Sequence, residues 1–315
     1  MDLISIGEQL IDFLPGAEPG TYIRAAGGAP ANVAIAVARN NLEVGFCGKV
    51  GDDDFGNFLH DVLNENDVAV LCPERTSKAV TTMAFVTLST DGDRSFTFAR
   101  KPGADMFLEK NELPLQEVKQ ASILHAGSCS LSKGSTAIAT EYAIRYAHKT
   151  GKITSFDVNY RDPLWDGDRK AAISAVKELL PYLDWIKISE DEKDFLGSEA
   201  DIRTLLQADK GPSLVVETLG AKGARAYFKS ETIDIDGLTA KAVDTTGAGD
   251  AFWGGFLSSL IYSGVQSVKD LSRSKIEEAL RYGTVSGWLC VQEKGAISSL
   301  PNRKQILEKI EQIYG

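Results

Sequence analysis

Strand-like apolar runs that alternate with helical segments constrain this chain's fold more than any other feature. Residues 3–6, 44–50, 122–126, 153–157, 185–188 and 214–218 read as short buried strands. Helical periods lie between or beyond them: residues 26–41, a face formed by Phe55, Phe58, Leu59, Val62 and Leu63, then 135–149, 251–261, 276–292 and an amphipathic segment after Pro301. Such alternation predicts an α/β fold. One stretch breaks the rhythm. Residues 82–88 are rich in β formers, Asp91-Gly92-Asp93 reads as a turn, and 95–98 alternate, which predicts a hairpin. A length of 315 residues suits one large domain, and no Pro/Ser-rich linker, repeat or low-complexity tract divides it.

The formal net charge is −10, which argues against nucleic acid and an anionic membrane surface as partners. A phosphate-bearing ligand would have to be held by local donors. The four cysteines are scattered, with no CxxC pair, and only three histidines occur, so buried thiols in a reducing cytoplasm are expected over zinc or disulfides. The N-terminal residues lack the basic region of a signal peptide, and the apolar run at 251–265 is too short to span a bilayer.

Local chemistry concentrates in Asp244-Thr245-Thr246-Gly247-Ala248-Gly249-Asp250-Ala251-Phe252, which leads into the helical run. Small residues at 247–249 leave backbone N–H groups uncovered. A helix start offers unpaired donors and partial positive charge, so an anion can rest there. Asp250, in the first turn, is expected to be ionised beside that hole and able to accept a proton from a hydroxyl. On its own the stretch is also compatible with a plain helix cap. Asp12, read as a loop acid among apolar neighbours, gains meaning from Ala26-Gly27-Gly28-Ala29-Pro30-Ala31-Asn32, where paired glycines permit close approach and Asn32 can both donate and accept. Asp157, Asn159 and Arg161 follow a strand, the position where open α/β sheets bind ligands; the competing reading is a loop ion pair of Arg161 with Asp162 or Asp166.

The two glycine-containing stretches, some 200 residues apart and in the same order, resemble the signatures of the ribokinase-type (phosphofructokinase-B) sugar kinases. Residues 11–15, 48–52, 94–106 and 186–190 resemble the fructokinase branch most. The resemblance runs from Ile6 to Pro301. It implies a ribokinase-like three-layer α/β/α sandwich over residues 1–315, with a mainly parallel central sheet and a small β lid from about 9–27 and 80–104. It further implies ATP-dependent phosphorylation of D-fructose to fructose 6-phosphate. In it Asp250 is the catalytic base and the amides of Gly247, Ala248 and Gly249 form the anion hole. The sugar is held by Asp12, Gly27, Gly28, Asn32, Phe98 (or Phe96), Arg100, Asn159 and Arg161. The nucleotide is held by Lys187, Glu192, Thr218, Gly220, Gly223, Gly247, Gly249 and Thr284. Mg²⁺ is ordered through water by Glu192, and K⁺ is held around Asp244, Thr246 and Gly295 in some members. A cytoplasmic homodimer paired through the lid also follows from the likeness.

The chain departs from the family pattern in three places. Asn41 stands where a small residue is usual, Ser189 replaces an Asn before Glu192, and Gly283-Thr284 replaces an Ala-Asn pair by the adenine. A 2-keto-3-deoxygluconate kinase, with Arg161 on a substrate carboxylate, is the nearest rival. A binding regulator without catalysis is the rival from another class. A dinucleotide oxidoreductase is disfavoured because Phe252 stands where the third fingerprint glycine belongs, and no Walker P-loop is present.

Overall fold

The computed structural model describes residues 1–88 and 94–315. In chain order, strands β1 (Leu3–Ile6), β2 (Leu10–Pro15) and β3 (Tyr22–Gly27) precede helix α1 (Ala29–Ala38). Then come β4 (Val44–Cys47), α2 (Asp54–Glu65), β5 (Val68–Val70), β6 (Met83–Leu88), β7 (Arg94–Ala99), α3 (Leu115–Gln120), β8 (Ile123–Gly127) and α4 (Gly134–Lys149). The second half holds β9 (Ile153–Asp157), α5 (Arg169–Leu179), β10 (Trp185–Ser189), α6 (Glu199–Gln207), β11 (Leu214–Thr218), β12 (Gly223–Phe228) and β13 (Glu231–Asp236). It closes with α7 (Ala248–Tyr262), α8 (Arg273–Cys290) and α9 (Arg303–Tyr314).

The main sheet has the order β13-β12-β11-β10-β9-β8-β1-β4-β5. From β11 to β5 its pairs are parallel, and β12 and β13 add an antiparallel edge. Alternate strand residues feed two cores. Leu3, Phe46, Ile123, Ile153, Trp185 and Leu214 pack with α1, α2, α7 and α8. Ile4, Ile6, Leu124, Phe156, Ile186 and Ile188 pack with α3 to α6. Burial on both faces is why these strands read as continuous apolar runs rather than alternating ones. The result is a three-layer α/β/α sandwich.

A second sheet, β3-β2-β6-β7, lies within the segments expected to form a lid. β2 pairs antiparallel with β3 and parallel with β6, and β6 pairs antiparallel with β7. Asp12 is therefore a strand residue, not the loop acid that its apolar neighbours suggested. The expected turn at 91–93 and any pocket role of the Phe96 side chain lie outside what is described. Locally, Asp53 caps α2 by accepting from Gly56 N at 2.8 Å, and Asn41 is left-handed at φ 61°. β4 stops at Cys47 instead of reaching 50; beyond its end Lys49 Nζ donates to the Glu74 carbonyl at 2.8 Å.

Helix α7 is buried on every side from Asp250 to Leu260. Gly254 abuts the Ala36 methyl of α1, and a Cβ at Gly255 would lie 2.8 Å from Ser286 Cβ of α8. These two glycines let α7 sit in close contact with both neighbours, which fixes its N-terminus over the sheet.

Candidate active site

The turn before α7 is held by its own side chains. Asp244 accepts from Thr246 N at 2.7 Å and from Gly295 N at 3.0 Å, tying the turn to the loop after α8. Gly247 sits at the helix N-cap with φ 78°, and a Cβ there would approach Ala296 Cα to 3.0 Å. No side chain caps the helix. Among the described residues no acceptor engages the N–H of Gly247 or Gly249, while that of Ala248 leans on Thr245 O at 3.3 Å. The anion hole is thus most open at the two glycines, and only partly so at Ala248.

Asp250 is the third residue of α7 and is buried. Its Oδ2 accepts from Asn32 Nδ2, on α1, at 2.8 Å. Burial pushes its carboxyl up to about 6; the Asn32 bond pulls down, Asp157 adds to the rise, and Lys187 and Arg161 oppose it. Burial therefore outweighs the helix-start field that was expected to favour ionisation. The group is still mostly ionised at neutral pH, with a pKa close to that of a working general base.

A cavity of about 370 Å³ opens on this carboxylate. Asp12, Gly28, Asn32, Phe98, Asn159 and Arg161 line it together with Gly247, Gly249 and Asp250. Asp12 and Phe98 both lie opposite Ala84, so they share the face of the small sheet that is turned to the cavity. Burial pushes Asp12 up to about 7, with Asp250 adding, Arg161 opposing and Asp244 adding again. Asn159 has φ 34°, in the region an asparagine tolerates. Asn32 Oδ1 is buried without a partner, as a site awaiting a hydroxyl would leave it.

Arg161 donates to Tyr160 O at 2.9 Å. The loop ion pair does not form: Asp162 accepts from Tyr160 OH at 2.8 Å, and Asp166 pairs with Lys133. Two expected sugar residues fall elsewhere. Gly27 is not in the cavity wall; it lies against the Asp12 carboxylate, where a side chain would collide. Arg100 is buried and committed to Asp105 Oδ2 at 2.8 Å and Ser132 Oγ at 3.0 Å, because a guanidinium removed from water takes the buried carboxylate beside it. Lys187, expected on the nucleotide, pairs with Asp157 at 2.8 Å and lines this first cavity; a Cβ on Gly249 would lie 3.4 Å from its Nζ. Its ammonium is thus just beneath the anion hole. Sequence reasoning missed Glu8, Leu10, Cys129 and Leu164 in the wall. Glu8 had a signal, an acid placed directly after Gly7 within an apolar stretch.

A second cavity, of about 450 Å³, lies on the other side of the turn. Thr218, Gly220, Gly223 and Thr284 line it with Ala248 and Gly249; Leu238, Trp288 and Val291 were not anticipated. Thr284 Oγ1 is buried without a partner. The two cavities share Thr245 and Gly249 in their walls, so they meet at the open amides. Glu192 lines neither cavity. Its oxygens accept from Tyr160 N at 2.7 Å and Ser189 N at 2.8 Å. Each keeps a lone pair, which fits a hold on metal-bound water but not a direct cage. Cys72, Glu74 and Glu112 cluster apart from both cavities, with Lys49 already on Glu112. A groove of about 750 Å³ among α7, α8 and α9 contains none of the motif residues.

Residues 1–303 match the pfkB family carbohydrate kinases. The chain is 41% identical over 309 residues to the probable fructokinase-5 of Arabidopsis thaliana, covering 95% of this chain and 94% of that one. A Xylella fastidiosa fructokinase structure with bound ATP superposes with a TM-score of 0.90 at 33% identity, covering 99% and 98% of the two chains. A Vibrio cholerae O395 fructokinase in its fructose, ADP and calcium ion bound form gives 0.86 at 32% identity, covering 98% of each.

Proposed function

Because the chain belongs to the pfkB family of carbohydrate kinases, we propose that it transfers the γ-phosphoryl group of ATP to O6 of D-fructose. The observation that carries this is the position of Asp250: a buried, Asn32-bonded carboxylate where two cavities meet at open backbone amides. The fructokinases among its relatives supply the sugar. Fructose sits against Asp12, Gly28 and Asn32, with its 6-hydroxyl at Asp250. The carboxylate orients that hydroxyl and takes its proton as the O–P bond forms, and ADP leaves on the other side of the turn. The amides of Gly247 and Gly249, with Lys187 below them, meet the charge on the moving phosphoryl group.

ATP fills the second cavity, with its phosphates towards Gly249. Glu192 would hold Mg²⁺ through water, and the ion would supply charge to offset that of the phosphates. The carbonyls around Asp244, Thr246 and Gly295, segments that the Asp244 carboxylate draws together, would hold K⁺. The active protein is a homodimer joined through the small sheet, and it works in the cytoplasm, where its four buried free cysteines stay reduced. Arg161, which makes no ion pair among the described residues, favours 2-keto-3-deoxygluconate as the second reading. ADP release should be compared for fructose, ribose, 2-keto-3-deoxygluconate and nucleosides. The highest kcat/KM is expected for fructose. Preference for the keto acid would replace that reading, and binding without ADP release would leave a regulator.

A further inference from the structure

Glu8 lies two residues past the end of β1 and is 4% exposed, yet it lines the cavity assigned to the sugar. A buried acid needs a strong partner, because loss of hydration costs several kcal/mol unless hydrogen bonds or a cation replace it. Beyond its own backbone N–H its partner is weak: Ser130 Oγ donates to Oε2 at 3.3 Å. The cation whose charge reaches it, Arg100, is taken by Asp105. Burial pushes the Glu8 carboxyl up to about 7, so near neutrality it can either donate or accept. An acid kept at such cost in a ligand cavity suggests a contact made when the ligand arrives.

Sheet order says which end of the ligand it meets. The anion hole stands over Lys187 on β10. Glu8 extends from β1, and the order β10-β9-β8-β1 puts three strand spacings, roughly 14 Å, between the two positions. With O6 at Asp250, the ring directs its other end, carbons 1 and 2, towards β1. We propose that Glu8 hydrogen-bonds the hydroxyls on carbons 1 and 2 of the sugar and so makes the site select a ketose. The inference rests on the fructose reading above.

The test compares D-fructose with 1-deoxy-D-fructose and 2,5-anhydro-D-mannitol, which lacks the anomeric hydroxyl, in the wild-type enzyme, Glu8→Ala and Glu8→Gln. The wild type should lose at least ~10-fold in kcat/KM on one or both analogues, the scale of a charged hydrogen bond. Glu8→Ala should lose a similar factor on fructose through KM, little on that analogue, and nothing in KM for ATP. Glu8→Gln, which keeps shape and both hydrogen-bonding roles, should recover part of the loss. Equal losses on all three sugars in both variants, or no loss at all, would overturn the proposal. If Glu8→Ala is unfolded by thermal melt, Glu8→Gln alone decides by the same sugar dependence. A wild type inactive on fructose would instead sink the parent reading, and this one with it.

Discussion

Side chains build the cavity proposed for the sugar, whereas backbone and small residues build most of the one proposed for the nucleotide. On the first side Glu8, Asp12, Asn32, Asn159, Arg161, Lys187 and Asp250 converge from both sheets and from α1 and α7. On the second, glycines 220, 223, 237, 249 and 287 alternate with alanines and a few apolar groups. The contrast has a physical basis. A sugar is told from its isomers by the placement of its hydroxyls, which demands directed polar groups held in fixed rotamers. A flat base and a phosphate chain are held by shape and by N–H donors, which need room more than side chains. The turn at 245–249 belongs to both, and substitutions should sort accordingly.

The largest effect is expected at the shared turn. Gly247→Ala places a methyl against Ala296 in a left-handed conformation, displacing an anion-hole donor. A loss of about 10²–10³-fold in kcat should follow, with both substrates still bound. Steady-state kinetics that show only a KM change would break the assignment of the turn to both cavities. Next comes Asn32→Ala, on the sugar side. It removes the 2.8 Å bond to Asp250 and the unpartnered Oδ1. A hydrogen bond to a charged group is worth about 1.5–3 kcal/mol, so kcat/KM for the sugar should fall roughly 10–150-fold while KM for ATP holds.

Thr284→Val addresses the nucleotide side. The hydroxyl it removes is buried and unpartnered in the protein, so stability should change little. KM for ATP should rise about 2–10-fold if the hydroxyl serves the nucleotide, and KM for the sugar should not move. A sugar effect would blur the division between the cavities.

The smallest effect is one of stability. Asp250 has its native carboxyl raised from 3.8 to about 6. Between those values the folded state holds more protons than the unfolded one, so this group's contribution to stability falls as pH rises. Asp250→Asn should therefore melt ~2 °C or more above the wild type at pH 7.5, and the gap should close near pH 4. Glu8, also raised, is common to both proteins and cancels; Asp12, raised in part by the Asp250 charge, is relieved in the variant and widens the gap in the same direction. A gap independent of pH would contradict the burial of Asp250 as a charged group.

Legibility followed the same division. The parallel strands could be read from their double-sided burial, and α7 from an apolar run behind its glycine turn. Asp250 and Asn32 were visible because their neighbours are unusual in type. Arg100 misled because a basic residue beside a lid strand looks free until Asp105, five residues on, folds back to it. The place of Lys187 needed the fold: only the alternation of β10 shows that its side chain leaves the apolar face of Ile186 and Ile188. Glu8 was passed over because one acid after a strand is common, and the side chain that meets it, Ser130, is far along the chain. Nor do β12 and β13 announce themselves, since as an antiparallel edge they alternate weakly and one face is partly exposed.

The most direct measurement is a rapid-quench single turnover on Asp250→Asn with ATP and fructose both saturating, alongside calorimetric binding of each. Phosphoryl transfer at least ~10²-fold slower than in the wild type, with both affinities within about threefold, is the predicted result. A folded variant that transfers phosphate at close to the wild-type rate would contradict the role given to this carboxylate.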